Sequence, residues 1–257
     1  MVAGPRLDAV APLSPSAWLR YDVVTRMIPD GVKDVLEVGC GRGAFGARIA
    51  SGYNYLGLEP DEASYEVARQ RIAAVGRSHQ GAEGPGRVLN ASTRALGDEK
   101  FDLVCAFEVI EHIEDDVAAA KEWATHIRPG GWMLLSVPAD QDRFGPMDEY
   151  VGHFRRYSPE QMSQLLAGAG LSSIVVRRYN FPLGKLLEAG RNVLGKRRLA
   201  KSSSSVAERT AASGRLYQPG GSLVGTVNRM GTAPLRGLQR KFPDRGVGLV
   251  ALGRLNG

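Results

Sequence analysis

The chain has 257 residues, of which 43% are hydrophobic and 23% charged, and its formal net charge is +6. These proportions are typical of one ample globular domain and exclude a collagen-like, coiled-coil or wholly disordered chain. No stretch approaches the roughly 18 apolar residues that a membrane-spanning helix needs. The first residues lack a basic cap followed by an apolar core, and two cysteines are too few for a disulfide framework. We therefore expect a protein of the reducing cytoplasm.

The positive charge is concentrated in the C-terminal part of the chain. Residues 1–182 have a net charge of −5, with 19 Lys/Arg and 24 Asp/Glu, whereas residues 183–257 have a net charge of +11, with 14 basic and 3 acidic residues. Because opposite charges attract, an anionic partner is expected to contact the C-terminal part.

The predicted elements begin with a helical lead-in over residues 1–30, where Trp18, Leu19, Val23 and Ile28 contribute an apolar face. After it, short apolar runs alternate with helix-like stretches. Strands are predicted at 34–39, 53–59, 87–90, 101–107, 131–139, 171–179 and 247–255. Helices are predicted to begin at Ala44 and Pro60 and to occupy 115–127 and 159–169, the last with Ser158 as its N-cap. This alternation predicts a parallel sheet with helices on both faces.

Residues 182–245 interrupt the alternation before the last strand. They contain a basic amphipathic stretch at 182–198, a serine run at 201–214 that is typical of a flexible loop, and a helical candidate at 223–242 that Pro234 is expected to break. The predicted divisions are the lead-in at 1–30, a core at 31–181, a basic insertion or lid at 182–245, and the last core strand at 246–257.

A glycine-rich turn carries the strongest functional signal. Gly39-x-Gly41-x-Gly43 ends the first strand and opens a helix, so the backbone there can approach a ligand closely. Glu37 lies two residues before the first glycine, where a carboxylate suits a cationic amine better than a pyrophosphate. Glu59 ends the second strand, where a carboxylate can accept hydrogen bonds from both hydroxyls of a ribose.

Four ordered motifs extend this signal across residues 30–180. They read EVGCGRG at 37–43, GLEPD at 57–61, FDLVCAFEVIEHI at 101–113 and IRPGGWMLLSVP at 127–138. In this order they resemble the class I S-adenosylmethionine-dependent methyltransferases. The resemblance implies an α/β, Rossmann-like, doubly wound sheet of seven strands, the last one antiparallel, with the basic and partly helical insertion before it. It also implies methyl transfer by in-line displacement, in which S-adenosylhomocysteine leaves.

The resemblance assigns roles to individual positions. Glu37, Gly39 and Gly41 are expected at the methionine end of S-adenosylmethionine, and Glu59 at the ribose with Pro60 beside it. Asn90 stands where the family often has an acid that meets adenine, and it keeps an acceptor oxygen. The full set of expected cofactor-binding residues is Glu37, Gly39, Cys40, Gly41, Gly43, Glu59, Pro60, Asn90, Ala91, Phe107 and Glu108.

Acidic and imidazole side chains crowd the turn after the fourth strand. Glu108, Glu111, His112 and Glu114 lie within two helical turns of sequence, and His153 follows later. On one interpretation Glu108, His112 and His153 shape and polarise the site, with His112 as a general base. On the other, a divalent ion such as Mg²⁺ or Mn²⁺ binds there and lowers the pKa of a substrate oxygen.

The E-x-x-E-H spacing followed by a later histidine resembles two metal-using branches of the family. These are the O-methyltransferases of ubiquinone synthesis and the enzymes that methylate the terminal ribose of small RNAs. By that resemblance the metal ligands would be Glu108, Glu111, His112 and His153. Arg155 and Arg156, which follow, are predicted either to contact an anionic group of the substrate or to pair with acids such as Asp148 and Glu149.

These observations favour O-methylation of a small-molecule, sugar or lipid-linked acceptor. Transfer to nitrogen or carbon, or to the 2′-hydroxyl of RNA ribose, is the alternative within enzymes, and a cofactor-binding scaffold without catalysis is the alternative outside them. The basic insertion is interpreted first as a lid over the acceptor. Its second interpretation is an interfacial helix that contacts anionic lipid at the inner face of the membrane. Nucleic acid is disfavoured, because the insertion has few aromatic residues for stacking.

Overall fold

The computed structural model describes residues 11–75, 86–200 and 222–257. The predicted serine run at 201–214 therefore lies outside the described residues. Within them, seven strands form one sheet in the order β3-β2-β1-β4-β5-β7-β6. The strands are β1 (Asp34–Val38), β2 (Asn54–Leu58), β3 (Arg87–Leu89), β4 (Phe101–Phe107), β5 (Ile127–Pro138), β6 (Leu171–Tyr179) and β7 (Gly248–Leu255).

As predicted, the sheet combines parallel strands with an antiparallel last strand. β1 pairs in parallel with β2 on one side and with β4 on the other, so that Leu36 lies beside Leu56 and Val104. β7 is inserted antiparallel between β5 and β6. The direction in which successive strands are added to the sheet reverses between β1 and β4. At such a switch point the carboxyl ends of the neighbouring strands leave a crevice for a ligand. The doubly wound α/β fold is therefore confirmed.

Helices cover both faces of the sheet. The described helices are α1 (Pro15–Met27), α2 (Gly46–Ala50), α3 (Glu62–Val75), α4 (Asp116–Ala124), α5 (Pro146–Val151), α6 (Pro159–Gly168), α7 (Gly184–Leu199) and α8 (Ser222–Lys241). Ser14 caps α1 ahead of Pro15, and Ser158 caps α6 in a reciprocal capping box with Gln161, as predicted for α6.

Two apolar layers, one on each face, explain why the central strands read as unbroken apolar runs. Val35 belongs to the layer with Trp18 and Ile72, whereas its neighbour Leu36 belongs to the layer with Trp123. Successive strand residues point to opposite faces, so a strand covered on both sides needs apolar residues at every position. These strands hold the functional turns at fixed positions.

Two predicted boundaries differ from the structure. The helix predicted at 115–127 ends at Ala124, and β5 begins at Ile127, so the Pro129-Gly130 pair lies inside a strand rather than before it. Pro234 does not break its helix, because α8 continues from Ser222 to Lys241. Pro234 and Met230, one turn earlier, are both exposed, so the carbonyl that loses its helical donor lies on the solvent side.

The insertion is attached at two places. α8 packs against α1, and α7 packs against α5. At Gly195 of α7 a Cβ would lie 2.6 Å from the backbone nitrogen of Met147, so glycine permits the close approach to α5. Among the described helices, none is long and apolar enough to cross a bilayer.

Candidate active site

The glycine turn after β1 has the backbone that its sequence predicts. Gly39, Gly41 and Gly43 have φ of 68°, 55° and 69°, in the left-handed region that favours glycine. A Cβ at Gly43 would lie 2.9 Å from the Cα of Ala68, and one at Gly39 would lie 2.8 Å from Val109, whereas Gly41 has open space beside it. The first and third glycines therefore permit packing, and the second leaves its backbone open to a ligand.

Glu37 is buried under this turn, with 2% of its surface exposed. The hydroxyl of Tyr55 donates a hydrogen bond of 2.7 Å to its Oε2. Burial raises the pKa of Glu37 to about 7, although the Tyr55 hydrogen bond and the charge of Arg20 lower it in part. This carboxyl is therefore only partly ionised near neutral pH, and a cation bound beside it would favour the carboxylate form.

Glu59 links the glycine turn to the start of α3. Its Oε2 accepts the N–H of Gly41 at 2.8 Å, and its Oε1 accepts the N–H of Asp61 at 2.9 Å. The side-chain amide of Asn90 donates to the carbonyls of Glu59 and Pro60, at 2.9 and 3.1 Å. Asn90 thus fixes the backbone of the β2–α3 turn, a role that sequence reasoning did not predict for it.

Cys40 and Phe107 contribute to the walls around the turn. The Cys40 thiol is free and buried in the apolar layer, and burial raises its pKa well above the ordinary value. Phe107 contacts Phe45 with ring centroids 4.7 Å apart, and Phe45 contacts Tyr21 of α1 at 5.2 Å. An aromatic wall therefore runs from β4 to the lead-in helix. Ala91 lies half-buried directly after Asn90.

Glu108 lies in the strained turn that follows β4. Its φ of 59° is unusual for a residue with a side chain. Its Oε1 accepts hydrogen bonds from Ser136 Oγ at 3.1 Å and Tyr179 at 3.0 Å, and pairs with Arg20 Nη1 at 3.2 Å. Burial alone would raise the pKa of Glu108, but the charge of Arg20 and the Tyr179 hydrogen bond, with smaller contributions from other nearby charges, together lower it.

Arg20 is a site residue that sequence reasoning missed. It comes from α1, where the only sequence signal was an apolar helix face. Burial lowers the pKa of Arg20, but the charge of Glu108 and then Tyr179 raise it above its ordinary value. The guanidinium also lies over the Phe45 ring, 5.3 Å from its centroid.

Glu111, His112 and His153 meet in one cluster. One ligand atom from each lies within 4.8 Å of the others, and the two imidazole rings are 4.5 Å apart. Glu111 is fully buried, and neither carboxylate oxygen has a hydrogen-bond partner among the described residues. Burying a carboxylate without hydrogen-bond partners costs folding free energy, and a bound cation would offset that cost. The cluster is therefore suited to a cation.

The loop that carries His153 is fastened to the turn that carries the other two residues. The N–H of Phe154 donates to the carbonyl of Glu111 at 2.8 Å. His112 Nδ1 lies 3.3 Å from the Gly152 carbonyl, and His153 Nδ1 lies 2.8 Å from Asp148 Oδ1. Where each Nδ1 carries the hydrogen in these contacts, the Nε2 of a neutral ring is left as the atom that can bind a metal.

The environment of His112 keeps its ring neutral. Burial, followed by the charge of His153, lowers the pKa of His112 to about 4. A neutral imidazole with one nitrogen anchored by an outer partner is the form that binds metals in proteins.

Comparison with known proteins identifies the family. A family model described as a methyltransferase domain matches residues 17–175, more than half of the chain. The chain belongs to the class I S-adenosylmethionine-dependent methyltransferases. The two predictions of family and fold are thereby confirmed.

Two similar relatives support the assignment at moderate identity. A protein of Mycolicibacterium smegmatis named "probable S-adenosylmethionine-dependent methyltransferase" is 32% identical over 144 residues, which are 54% of this chain and 51% of the relative. The ubiquinone biosynthesis O-methyltransferase of Nitrosospira multiformis is 30% identical over 122 residues, 46% of this chain and 48% of the relative. The chain thus spans about half the length of each.

Solved structures share the fold at low identity. A phosphoethanolamine N-methyltransferase of Haemonchus contortus, solved with S-adenosylhomocysteine, has a TM-score of 0.58 and 19% identity over 95% of this chain and 54% of that chain. The YcgJ protein of Bacillus subtilis has a TM-score of 0.55 and 13% identity, over 94% of this chain and 99% of that chain.

A cavity of the methyltransferase adjoins the cluster on the side of the insertion. Glu108, Asp148, His153 and Arg156 line it from the core. Its other lining residues are Ser16, Pro138, Tyr179, Asn180, Gly184, Leu187, Glu188, Arg191 and Val247. The core, α1 and the inner face of α7 therefore all contribute to the wall of this cavity.

A buried ion cluster joins α7 to the core of the methyltransferase. Arg156 pairs with Asp148 at 2.7 Å and with Glu188 of α7, and Arg143 also pairs with Glu188. The prediction that Arg156 pairs with Asp148 is therefore confirmed. The same carboxylate also contacts His153. Arg155 instead pairs with Asp116, at 2.7 Å.

Proposed function

We propose that this methyltransferase transfers a methyl group from S-adenosylmethionine to a hydroxyl oxygen of its acceptor, assisted by a divalent cation at Glu111, His112 and His153. The observation that carries the proposal is the convergence of these three side chains, with the Glu111 carboxylate buried and without a hydrogen-bond partner among the described residues. The cluster adjoins Glu108 and the cavity that we assign to the acceptor.

The cofactor would bind at the glycine turn. Glu37 would contact its amino group, the open backbone at Gly41 would approach its methionine part, and Glu59 would accept its ribose hydroxyls. Each Glu59 oxygen accepts one backbone N–H, and a carboxylate has about four lone-pair sites, so acceptor capacity remains. When bound, S-adenosylmethionine supplies the methyl group as an electrophile on its sulfonium.

Asn90, Ala91 and Phe107 would line the adenine side of this cofactor site. Asn90 holds the turn at Glu59 and Pro60 through its amide nitrogen, so its contribution toward adenine would come from its position and its acceptor oxygen. The backbone of Cys40 belongs to the turn, whereas its thiol faces the core.

The donor set fits a divalent cation of the Mg²⁺ or Mn²⁺ type. One carboxylate and two imidazoles are available, and each imidazole is oriented by an outer partner, Gly152 or Asp148. When bound, such a cation lowers the pKa of an oxygen that coordinates it. We leave Glu108 outside the proposed ligand set, because its Oε1 is engaged by Arg20, Tyr179 and Ser136. Glu108 would instead orient groups between cofactor and acceptor.

Similarity to ubiquinone biosynthesis O-methyltransferases supports oxygen as the acceptor atom. Several such proteins are 30–33% identical to this chain over 39–46% of its length. A hydroxyl nucleophile has to lose its proton, whereas an amine needs only a positioned lone pair. A cluster built for a cation beside the acceptor cavity is therefore better matched to oxygen.

The test combines metal removal with two substitutions. The full chain is dialysed against a chelator and assayed with radiolabelled S-adenosylmethionine and an extract of the source organism, before and after Mn²⁺ is restored. We expect transfer to fall at least tenfold on chelation and to recover with Mn²⁺. Binding of Mn²⁺, followed by electron paramagnetic resonance, should be lost in Glu111→Gln and His153→Ala.

Glu114→Gln is the matched control, because Glu114 is an exposed acid three residues from Glu111. It should keep both Mn²⁺ binding and transfer. Full transfer with no metal detected after chelation would contradict the cation.

A further inference from the structure

Helix α8 has its polar face inside and its apolar face outside. Gly225, Thr232 and Gln239 are buried, and Asn228 is half-buried. The Asn228 amide donates to the Leu13 carbonyl at 3.1 Å. The Gln239 amide donates to the Leu19 carbonyl at 3.0 Å, while its oxygen accepts the N–H of Asn180 at 2.8 Å. Polar contacts to α1 and to the end of β6 therefore hold α8 in place.

The opposite face of α8 exposes an apolar stripe. Val227 is 67% exposed and Met230 is 70% exposed, with Val224 half-exposed beside them. Pro234 and Leu238 continue the stripe, because residues three or four apart share one helix face. A contiguous apolar face turned to water indicates an interaction surface.

The charges around this stripe have one sign. The sequence of α8 contains no acidic residue and four basic ones, Arg229, Arg236, Arg240 and Lys241. Arg240 pairs with the buried Asp22 of α1, while Arg229 and Lys241 are exposed. The partner of the stripe is therefore expected to be anionic.

Helix α7 repeats the same arrangement. Leu186, at 73% exposure, and Val193 lie one above the other on its outer face, next to the exposed cations Lys185, Lys196 and Arg197. Its single acid, Glu188, lies on the inner face in the ion cluster with Arg143 and Arg156. The segments of α7 and α8 meet where Phe181 contacts Phe242, with ring centroids 5.4 Å apart.

We propose that the outer faces of α7 and α8 dock on the surface of an anionic lipid bilayer. The apolar side chains would enter the interface between headgroups and acyl chains, and the flanking Lys and Arg would contact lipid phosphates. A second copy of the chain is a poor occupant, because two faces of the same positive charge repel each other. Neither helix needs to cross the bilayer for this contact.

The position of α7 connects this surface with the acceptor. Its inner face lines the cavity beside His153, through Gly184, Leu187 and Glu188, while its outer face would lie on lipid. Resting on the function proposed above, the acceptor would then be a hydroxyl compound carried in the membrane, reaching the cavity along α7. The docking itself does not depend on methyl transfer.

The test is sedimentation of the full chain with lipid vesicles, without cofactor or acceptor. Vesicles of phosphatidylcholine containing about one third phosphatidylglycerol are compared with vesicles of phosphatidylcholine alone. We expect binding to the anionic vesicles only. The double variant Val227→Ser/Met230→Ser should lower the apparent affinity at least tenfold, and Lys196→Glu/Arg197→Glu should do the same.

Matched controls come from the other side of the molecule. Val117 on α4 is 45% exposed, and Lys121 on the same helix and Arg94 are exposed cations. Val117→Ser and Lys121→Glu/Arg94→Glu should bind anionic vesicles like the unaltered chain.

Several results would overturn the proposal. They are absence of binding to anionic vesicles, unchanged binding by both helix variants, or equal losses in the controls. Binding of RNA in place of vesicles, or a dimer that Val227→Ser/Met230→Ser dissolves, would also overturn it. Methyl transfer that does not depend on metal would contradict the proposed function, but it would not affect vesicle binding. Failure of the proposed function and failure of the docking proposal are therefore distinguishable.

Discussion

Arg20 of α1 pairs with Glu108 at the end of β4, with Nη1 and Oε1 3.2 Å apart. The two residues are 88 positions apart in sequence, and the pair joins the lead-in helix to the turn that follows the fourth strand. α1 in turn is held by α8, whose Arg240 pairs with Asp22 and whose Gln239 reaches the Leu19 carbonyl. The N-terminal helix and the insertion thus act together on the centre of the site.

Replacing Arg20 should damage both stability and transfer. Arg20→Met leaves the Glu108 carboxylate in a poorly solvated position without its cation, which costs about 2 kcal/mol of unfolding free energy. Transfer should fall at least tenfold, because Glu108 loses its fixed orientation. Urea denaturation and single-turnover transfer measure the two effects. In Arg20→Met/Glu108→Gln the cost should be smaller than the sum of the single variants, and strict additivity would count against the pair.

The fold was predictable because its central strands are covered on both faces. Val35 and Leu36 belong to opposite layers, so the strand reads as an apolar run, and the glycines that follow mark its end. The resemblance then placed Glu37 and Glu59 at the ends of two strands, where they lie. Local sequence carries these features because a strand and its turn lie in one short segment.

What sequence reasoning missed depends on long-range contacts. The spacing of Glu108, Glu111 and His112 predicted one ligand cluster; in the structure Glu111 and His112 converge with His153, and Glu108, whose φ is positive, pairs with Arg20. The same limit applies to Pro234, which was expected to break a helix. Packing of Gln239 and Asn228 on α1 holds that helix together across the proline.

Cofactor affinity should depend on pH through Glu37. The folded, cofactor-free protein holds this carboxyl with a pKa of about 7, and the carboxylate is the form that would bind the cofactor's amine. Affinity should therefore rise with pH through 7, by roughly tenfold between pH 6 and pH 8. Calorimetric titration with S-adenosylhomocysteine at both pH values measures this change.

Two variants test whether Glu37 causes the pH dependence of cofactor affinity. Tyr55→Phe removes the hydroxyl that stabilises the carboxylate, so it should raise the pKa of Glu37 and move the transition to higher pH. Glu37→Gln should bind weakly at both pH values with no dependence. Equal affinity of the unaltered chain at pH 6 and pH 8 would argue against an ionised Glu37 at the amine.

Glu188 should anchor α7 to the core. Glu188→Gln removes the carboxylate that lies between Arg143 and Arg156, which should cost about 2 kcal/mol because Arg143 loses its counter-charge and Arg156 keeps only Asp148. Hydrogen exchange should speed up in 184–199 more than in β1 or β4. Glu149→Gln is the control, since Glu149 is exposed one residue beyond Asp148. Uniform exchange rates in the two variants would show that the ion cluster does not hold α7.

Gly43 should tolerate no side chain. In Gly43→Ala the new Cβ would lie 2.9 Å from the Cα of Ala68 on α3. The alanine would also have to adopt a positive φ, which is unfavourable for a residue with a side chain. Gly31 has a φ of 85° with open space around it, so Gly31→Ala should cost only the backbone strain, about 1 kcal/mol. Urea denaturation should place Gly43→Ala about 2 kcal/mol below Gly31→Ala. Equal losses would mean that α3 shifts freely away from the glycine turn.

The proposed reaction is transfer of a methyl group to oxygen. The most direct measurement incubates the full chain and Mn²⁺ with S-adenosylmethionine carrying a ¹³C-labelled methyl group and an extract of the source organism. The product is partitioned between organic and aqueous phases, and the ¹³C chemical shift of its new methyl carbon is recorded. We predict an O-methyl carbon, recovered in the organic phase if the acceptor is carried in the membrane. An N-methyl or C-methyl carbon, formed equally well after chelation, would contradict metal-assisted transfer to oxygen.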